Sequence, residues 1–176
     1  MRFMVPMVVA AFAVTCGAAR ANVETAWTPG IPSGWEKATP SHLEGTGDFG
    51  FRAAMASPYQ ETSGDFDGDG RRDQAQLFIN RKTATYGLFI TLNARSVPRV
   101  YKLLEGPMNE IARVGLARVP PGEYANACAK SYGKAKDCTP EIVKIKSDGV
   151  DYFNFEFAAR YYYWNGEGFA SADIGD

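Results

Sequence analysis

The sequence has little histidine and almost no surplus of charge of either sign. Its 176 residues include one histidine, His42, and 19 basic against 20 acidic residues, which gives a net charge of −1. Nucleic-acid binding calls for a concentrated basic face, and attraction to an anionic membrane calls for a polybasic segment. A single histidine cannot complete a usual set of zinc ligands. The composition therefore predicts no nucleic-acid partner and no zinc centre.

Histidine-dependent catalysis has little support for the same reason. A Ser–His triad would have to use His42, which lies in the short helix predicted over Pro40–Glu44 with Thr39 as its cap. We expect His42 to be an ordinary surface residue. A pair of carboxylates for glycoside hydrolysis stays open, because the sequence does not show how far apart two carboxylates lie. The candidates are Asp48, Glu61, Asp137, Glu141, Glu156 and Glu167.

The sequence also lacks an apolar run long enough to span a membrane. The run from Met4 to Val14 has about a dozen residues, whereas a spanning helix needs roughly 20, so it predicts the core of a signal peptide. Residues 1–21 would be removed by cleavage after Ala21, and the mature chain would be periplasmic or secreted with no membrane span. Cleavage removes Arg2 and Arg20, which lowers the net charge to about −3. The alternative is that Cys16 is a lipid-acceptor cysteine.

Cysteine is scarce, and two of the three cysteines lie outside the leader. Cys128 and Cys138 form an even pair in a compartment that is oxidising, so we expect a disulfide that stabilises the fold by about 2.5 to 3 kcal/mol. Their spacing is far from C-x-x-C, which argues against a redox role. The enclosed loop carries Tyr132 and three lysines and is a candidate contact surface. Its simpler interpretation is a solvated loop.

Helical periodicity is almost absent, and alternation of apolar and polar residues is common. An irregular lead-in, rich in proline and glycine, is predicted over residues 22–63, and residues 64–176 are predicted to form the β domain. Asn165-Gly166 is typical of a tight hairpin turn. We expect a mainly β fold, a single compact antiparallel domain arranged as a sheet, a sandwich or an incomplete barrel. Strands are predicted at residues 74–80, 86–92, 97–104, 111–119, 142–146, 150–157, 159–164 and 169–172.

An acidic loop follows the lead-in. Asp65, Asp67 and Asp69 alternate, Gly70 permits a sharp turn, and Asp73 follows at the ninth position of the loop. Calcium takes six to eight oxygen ligands, whereas magnesium prefers fewer protein ligands and keeps its waters. Four carboxylates this close would repel one another without a cation, so the spacing predicts a calcium site. The alternative is a solvated acidic turn that binds no metal.

The loop departs from an EF-hand, because Gln76 stands where that motif has a bidentate glutamate and a strand follows in place of a helix. The segment Gly64-Asp-Phe-Asp-Gly-Asp-Gly-Arg-Arg-Asp-Gln-Ala75 resembles the FG-GAP/VCBS calcium loop, which joins two β-strands in the blades of integrin α subunits and in many secreted bacterial proteins. The motif occurs once, which excludes a propeller built of such repeats. The ending Tyr162–Phe169 resembles small exported bacterial proteins with one such loop. The resemblance implies these ligands: Asp65, Asp67, Asp69, the carbonyl of Arg71, and Asp73.

The aromatic run at residues 161–164 is a further candidate site. Strand alternation places Tyr162 and Trp164 on one face, opposite Tyr161 and Tyr163, so one face packs in the core and the other is sheet surface or an interface. Tyr162, Trp164 and Tyr132 are the candidate partner contacts. We expect an exported, non-catalytic calcium-binding domain whose partner is a protein or an envelope polysaccharide. The alternatives are a carboxylate-dependent hydrolase with structural calcium and a periplasmic enzyme inhibitor.

Overall fold

The computed structural model describes residues 26–27, 30–43, 59–94, 97–127, 141–155 and 159–174, with the backbone alone at 26–27. The leader with Cys16, the Cys128–Cys138 pair and Tyr132 lie outside these ranges, so cleavage, lipidation, the disulfide and the contact loop stay predictions. In the ranges that are described, no helix is both long and apolar enough to cross a membrane.

The fold is mainly β, as the sequence predicts, and its sheets are antiparallel. Among the residues that the structure describes, two short 3₁₀ helices, Pro40–Leu43 and Met108–Arg113, accompany the strands. The described part of the chain contains twelve strands: β1 Ala26–Trp27, β2 Glu36–Lys37, β3 Glu61–Gly64, β4 Asp73–Asn80, β5 Thr85–Leu92, β6 Arg99–Pro107, β7 Val114–Val119, β8 Gly122–Ala125, β9 Ile142–Ile145, β10 Gly149–Asn154, β11 Ala159–Trp164 and β12 Phe169–Ile174.

The first sheet has the order β1-β6-β5-β4-β2, and β3 pairs with another part of β4. Ala75, Leu77 and Ile79 of β4 are fully buried in the main core, and β4 confirms the strand predicted at residues 74–80. The opposite face of β4 is covered as well, because Phe78 packs in a smaller cluster that includes Trp35. The lead-in thus contributes packing, and its described part also contains β1, β2 and most of β3.

The second sheet has the order β12-β11-β10-β7 and faces the first across a shared core. Leu77 and Ile90 of the first sheet pack in one cluster with Leu116, Val150 and Phe169 of the second. A separate hairpin of β8 and β9 covers the outer side of the second sheet. The two sheets therefore form one compact β domain.

The chain entering β3 connects the two sheets. The N–H of Leu116 in β7 donates to the carbonyl of Tyr59 at 2.8 Å, and the N–H of Leu77 in β4 donates to the carbonyl of Gln60 at 2.9 Å. Residues 59 and 60 are therefore hydrogen-bonded to both sheets. The acidic loop, which follows β3, consequently begins at the junction of the sheets.

Several predicted strand boundaries, and one predicted turn, differ in the structure. The strand predicted at 111–119 begins at Val114, because the residues before it form a 3₁₀ helix. Ile111 and Ala112 of that helix are buried, and in the sequence their apolar side chains look like part of a strand. The strand predicted at 150–157 ends at Asn154. The Asn165-Gly166 turn is part of a longer connection, in which the N–H of Asn165 donates to the carbonyl of Gly168. Pro98 delays the strand predicted at 97–104 until Arg99.

Candidate metal centre

The acidic loop connects two paired antiparallel strands. Gly64 at the end of β3 is opposite Asp73 at the start of β4, so residues 65–72 form the loop of a hairpin. Phe66 is fully buried in the main core. This buried ring anchors the loop between its first two aspartates. Sequence reasoning missed this role, although Phe66 is the only large apolar residue in the loop.

Three of the loop carboxylates converge. Asp65, Asp67 and Asp73 each place one oxygen within 4.8 Å of the others, so the group could hold a metal ion. Asp73 is 2% exposed, and the Asp67 side chain is 9% exposed. Carboxylates this close and this poorly solvated repel one another strongly unless a cation lies between them.

Asp73 ties the loop to the first sheet. Its Oδ2 accepts the N–H of Phe66 at 2.8 Å, and its Oδ1 accepts the N–H of Asn93, just after β5, at 2.8 Å. Burial raises the pKa of Asp73; the two backbone hydrogen bonds lower it, and the charges of Asp67 and Asp69 raise it further. A carboxylate has about four lone-pair sites, so two accepted N–H bonds leave capacity for a metal ligand.

The Asp65 carboxylate organises the turn. Its Oδ1 accepts the N–H of Gly68 at 2.9 Å, and its Oδ2 accepts the N–H of Gly70 at 3.0 Å. Both glycines have positive φ, 79° and 83°. Glycine adopts this conformation without steric cost, so the backbone can wrap around Asp65.

Asp69 is not part of the converging group. Its Oδ1 accepts the N–H of Arg71 at 2.9 Å, and its Oδ2 lies 3.8 Å from Arg71 Nε. Three of the four predicted carboxylates are therefore together, while Asp69 points towards the side chain of Arg71. The predicted ligation by the carbonyl of Arg71 stays a prediction.

A guanidinium lies beside the carboxylates. Arg99 Nη2 is 3.3 Å from Asp67 Oδ2, and the guanidinium carbon is 5.8 Å from the centre of the Trp164 ring. Arg99 Nε is buried without a hydrogen-bond partner in the described part of the chain. This cation partly offsets the charge of the loop. Its place could not be predicted, because Arg99 is on β6, 32 residues from Asp67.

The turn between β9 and β10 holds the loop from the second sheet. The N–H of Asp65 donates to Asp148 Oδ2, and the N–H of Asp148 donates to the carbonyl of Asp65, each at 3.0 Å. The hydroxyl of Ser147 donates to the carbonyl of Phe66 at 2.9 Å. Sequence reasoning missed both residues, since nothing local relates them to a loop about 80 positions earlier.

A cleft with Trp164 borders the loop. Trp164 is half-buried and packs edge-to-face on Tyr101 and Phe169. Tyr162 is 6% exposed in the main core, which corrects the prediction of a partner contact there. The cleft, named here the lysine–tryptophan cleft, has a volume of about 460 Å³. It is lined by Asp67, Gly68, Lys144, Lys146, Ser147, Tyr163, Trp164, Asn165 and Gly166.

The other candidate residues are not members of the converging carboxylate group or lie outside the described chain. His42 Nδ1 accepts the N–H of Thr39 at 3.0 Å, and its Nε2 lies 2.8 Å from Arg81 Nη2. Glu61 accepts side-chain amide hydrogen bonds from Gln74 and Gln76. Glu141 precedes β9 and Glu167 lies between β11 and β12, both exposed. The positions outside the described chain are Asp48, Asp137 and Glu156.

Asp151 is a titratable residue that sequence reasoning missed. Burial raises its pKa to about 6, and its Oδ1 is buried without a hydrogen-bond partner among the described residues. Asp151 is on β10, opposite Ala117 of β7 and Tyr161 of β11. Strand alternation put it on the face away from the main core, but the sequence does not show that this face is also covered.

Comparisons with known proteins do not identify a relative. No family model, no curated protein and no solved structure matches the chain. The function therefore has to be inferred from the geometry of the loop and its surroundings.

Proposed function

We propose that this chain is an exported, non-catalytic β domain that binds calcium in the acidic loop and presents a partner-binding surface beside it. The observation that carries the proposal is the convergence of Asp65, Asp67 and Asp73 within 4.8 Å. The predicted leader supports export, and the partner classes are an envelope polysaccharide or a protein.

The donor chemistry supports calcium over other ions. The three converging groups are carboxylates, which are hard oxygen ligands, whereas zinc and copper favour nitrogen and sulfur. Calcium accepts six to eight ligands in flexible geometry, so Asp69, the Arg71 carbonyl and water can complete its shell. Magnesium demands a tighter octahedron and keeps more of its waters. The resemblance of the loop to the FG-GAP/VCBS type points to the same ion.

A structural role for the ion follows from the connections of the loop. Asp73 links the loop to β5, and Asp148 links it to the second sheet. An ion held by these carboxylates stabilises the junction of the two sheets, because its binding free energy adds to that of folding. The candidate acids Glu61, Glu141 and Glu167 are not members of the converging carboxylate group.

The lysine–tryptophan cleft supports a polysaccharide partner. It shares Asp67 and Gly68 with the loop, so the ion also orders one wall of the cleft. Flat aromatic rings such as those of Tyr163 and Trp164 offer apolar faces on which sugars stack, while Lys146 and Asn165 supply hydrogen-bond donors.

Thermal unfolding in calcium and in chelator tests the central part of the proposal. Calcium at 100 times its dissociation constant should stabilise the folded state by about 2.7 kcal/mol, and magnesium should do so much less. Asp67→Ala should abolish the calcium-dependent shift, because it removes a ligand and leaves the glycines of the turn in place. Each protein is compared with itself at fixed ionic strength, since the variant also relieves repulsion in chelator.

Asp173→Ala is the matched control, because it removes an exposed carboxylate that pairs with Arg160 away from the loop. This variant should keep the full calcium-dependent increase in melting temperature. Equal melting temperatures of the wild type with millimolar calcium and with chelator, together with no heat of calcium binding, would contradict the proposal.

A further inference from the structure

Three arginines line one polar groove beside the loop. Arg71, Arg72 and Arg118 border a cavity of about 570 Å³ together with Asp65 and Asp148. A neighbouring cavity of about 580 Å³ shares Ser63 and Arg72 with it. We name the two cavities together the arginine groove. The remaining lining residues are Glu61, Thr62, Gly64, Gly70, Asp73 and Gln74.

Each of the three guanidiniums has a protein partner that positions it, but none uses all of its N–H donors in these contacts. Arg72 donates from Nε and Nη2 to Ser63 Oγ, at 2.9 and 2.6 Å. Arg118 Nη1 lies 3.5 Å from Asp148 Oδ2, and Arg71 Nη1 donates to the carbonyl of Asn93 at 3.4 Å. A guanidinium has five N–H donors in a planar fork, so each keeps donors available for a ligand.

We propose that the arginine groove binds the carboxylate of a uronic acid unit in an acidic polysaccharide. The planar fork of an arginine matches a carboxylate in a bidentate pair, which is shorter and stronger than a neutral hydrogen bond. The proposal rests on the calcium site of the proposed function, and it names the class of partner and a second contact surface.

The groove favours a polysaccharide over an acidic peptide. Its lining offers hydroxyls from Thr62 and Ser63, an amide from Gln74 and a carboxylate from Glu61, and these groups complement sugar hydroxyls. Peptide partners are generally anchored by aromatic or large aliphatic side chains that fill apolar pockets. No aromatic or large aliphatic residue is among the described residues that line the groove.

Calcium in the loop makes the groove receptive to an anion. Asp65 and Asp73 line the groove and also belong to the converging carboxylates. Their charges repel a uronate when the loop is free of metal, and a bound ion adds two positive charges at the same place. Uronate binding should therefore require calcium and should weaken as salt screens the arginines.

Calorimetry on the mature chain tests the proposal with matched oligosaccharides. The probes are a β-1,4-linked glucuronic acid hexamer and neutral cellohexaose, each titrated in calcium and in chelator, with blank titrations for binding of calcium by the sugar. The expected result is at least tenfold tighter binding of the acidic hexamer in calcium and loss of that preference in chelator. Arg118→Gln and Arg72→Gln should each weaken acidic-hexamer binding at least tenfold while heat of calcium binding persists.

Arg81→Gln is the matched control, because Arg81 lies in the turn between β4 and β5 and pairs with Glu36 outside the groove. It should bind the acidic hexamer as the wild type does. Equal binding of the two hexamers, or arginine variants that fold and bind as the wild type, would overturn the groove proposal and leave the proposed function standing. Tighter binding of a hexaglutamate peptide than of the acidic hexamer would also overturn it. If neither sugar binds, the groove proposal is also overturned. The calcium titration then shows separately whether the metal site exists.

Discussion

Phe66 and Asp73 connect a solvent-facing loop to the interior. The Phe66 ring is fully buried, and its N–H is held by a carboxylate that is itself 2% exposed. Asp65 and Asp67 precede and follow this buried ring in the chain. One apolar side chain therefore helps to fix the positions of two ligand candidates.

Asp151 should make the stability of the domain depend on pH. Burial raises its pKa from 3.8 to about 6, so the folded state favours the protonated form. The stability that the protonated Asp151 carboxyl contributes to the folded state is fully present below about pH 4 and is lost as the pH rises through about 6. Asp151→Asn should therefore stabilise the domain at pH 7, by about 1 kcal/mol after a discount for partial exposure, and should add nothing at pH 4.

Chemical denaturation at pH 4, 5.5 and 7 measures this difference, in chelator so that calcium binding does not contribute. Glu167→Gln is the control, because Glu167 is exposed between β11 and β12. If Asp151→Asn raises the free energy of unfolding by the same amount at all three pH values, ionisation of the Asp151 carboxylate is not the cause of the stabilisation.

At the scale of elements, β3 and the β9–β10 turn approach each other without space for a side chain. A Cβ on Gly64 would lie 2.7 Å from Asp148 Oδ2 and 2.9 Å from Asp148 Cβ. Glycine is therefore required here by close packing, whereas Gly68 and Gly70 are required by positive φ.

Gly64→Ala should destabilise the domain by about 1 to 3 kcal/mol, because the added methyl group displaces Asp148 from Asp65. Calcium affinity should fall as well, since Asp65 follows directly. Denaturant unfolding and calcium titration measure the two effects. Thr62→Ala on the same strand adds no atom and is the control.

A double variant, Gly64→Ala with Asp148→Ala, separates the clash from other effects. If Asp148→Ala relieves the clash, the double variant should lose less free energy of unfolding than the sum of the losses of the two single variants. Strict additivity would contradict the contact.

At the scale of the whole molecule, the two sheets share one apolar core. Leu77 of β4 and Val150 of β10 are both fully buried in the main cluster. Neither sheet can lose its partner without exposing this cluster to water. The domain should therefore unfold in a single cooperative transition.

Leu77→Ala should destabilise both sheets together, by about 2 to 5 kcal/mol. Trp35 packs on Phe89 of the first sheet, whereas Trp164 on β11 of the second sheet contacts Tyr101 of the first, so their fluorescence reports the first sheet and the interface between the sheets. Single-tryptophan variants that keep one or the other should give coincident unfolding curves, each shifted equally by the mutation. Two separated transitions would show that the sheets are independent.

The sequence by itself determined the features that have a local cause. Alternation with period two predicted β4, β9 and β11, because successive side chains of a strand point to opposite faces. Alternate aspartates with glycine between them predicted a tightly wrapped acidic loop, and Gly68 and Gly70 have the positive φ that such a turn requires.

Only the tertiary structure decided which faces are covered and which distant residues meet. Tyr162 and Trp164 share one strand face, but Tyr162 is in the core and Trp164 lines a cleft at the end of the sheet. Asp148 and Arg99 reach the loop from other strands and turns, 83 and 32 positions away from their partners. The periodicity of a sequence indicates which side chains of a strand share a face. Which residues those side chains contact depends on how the two sheets pack.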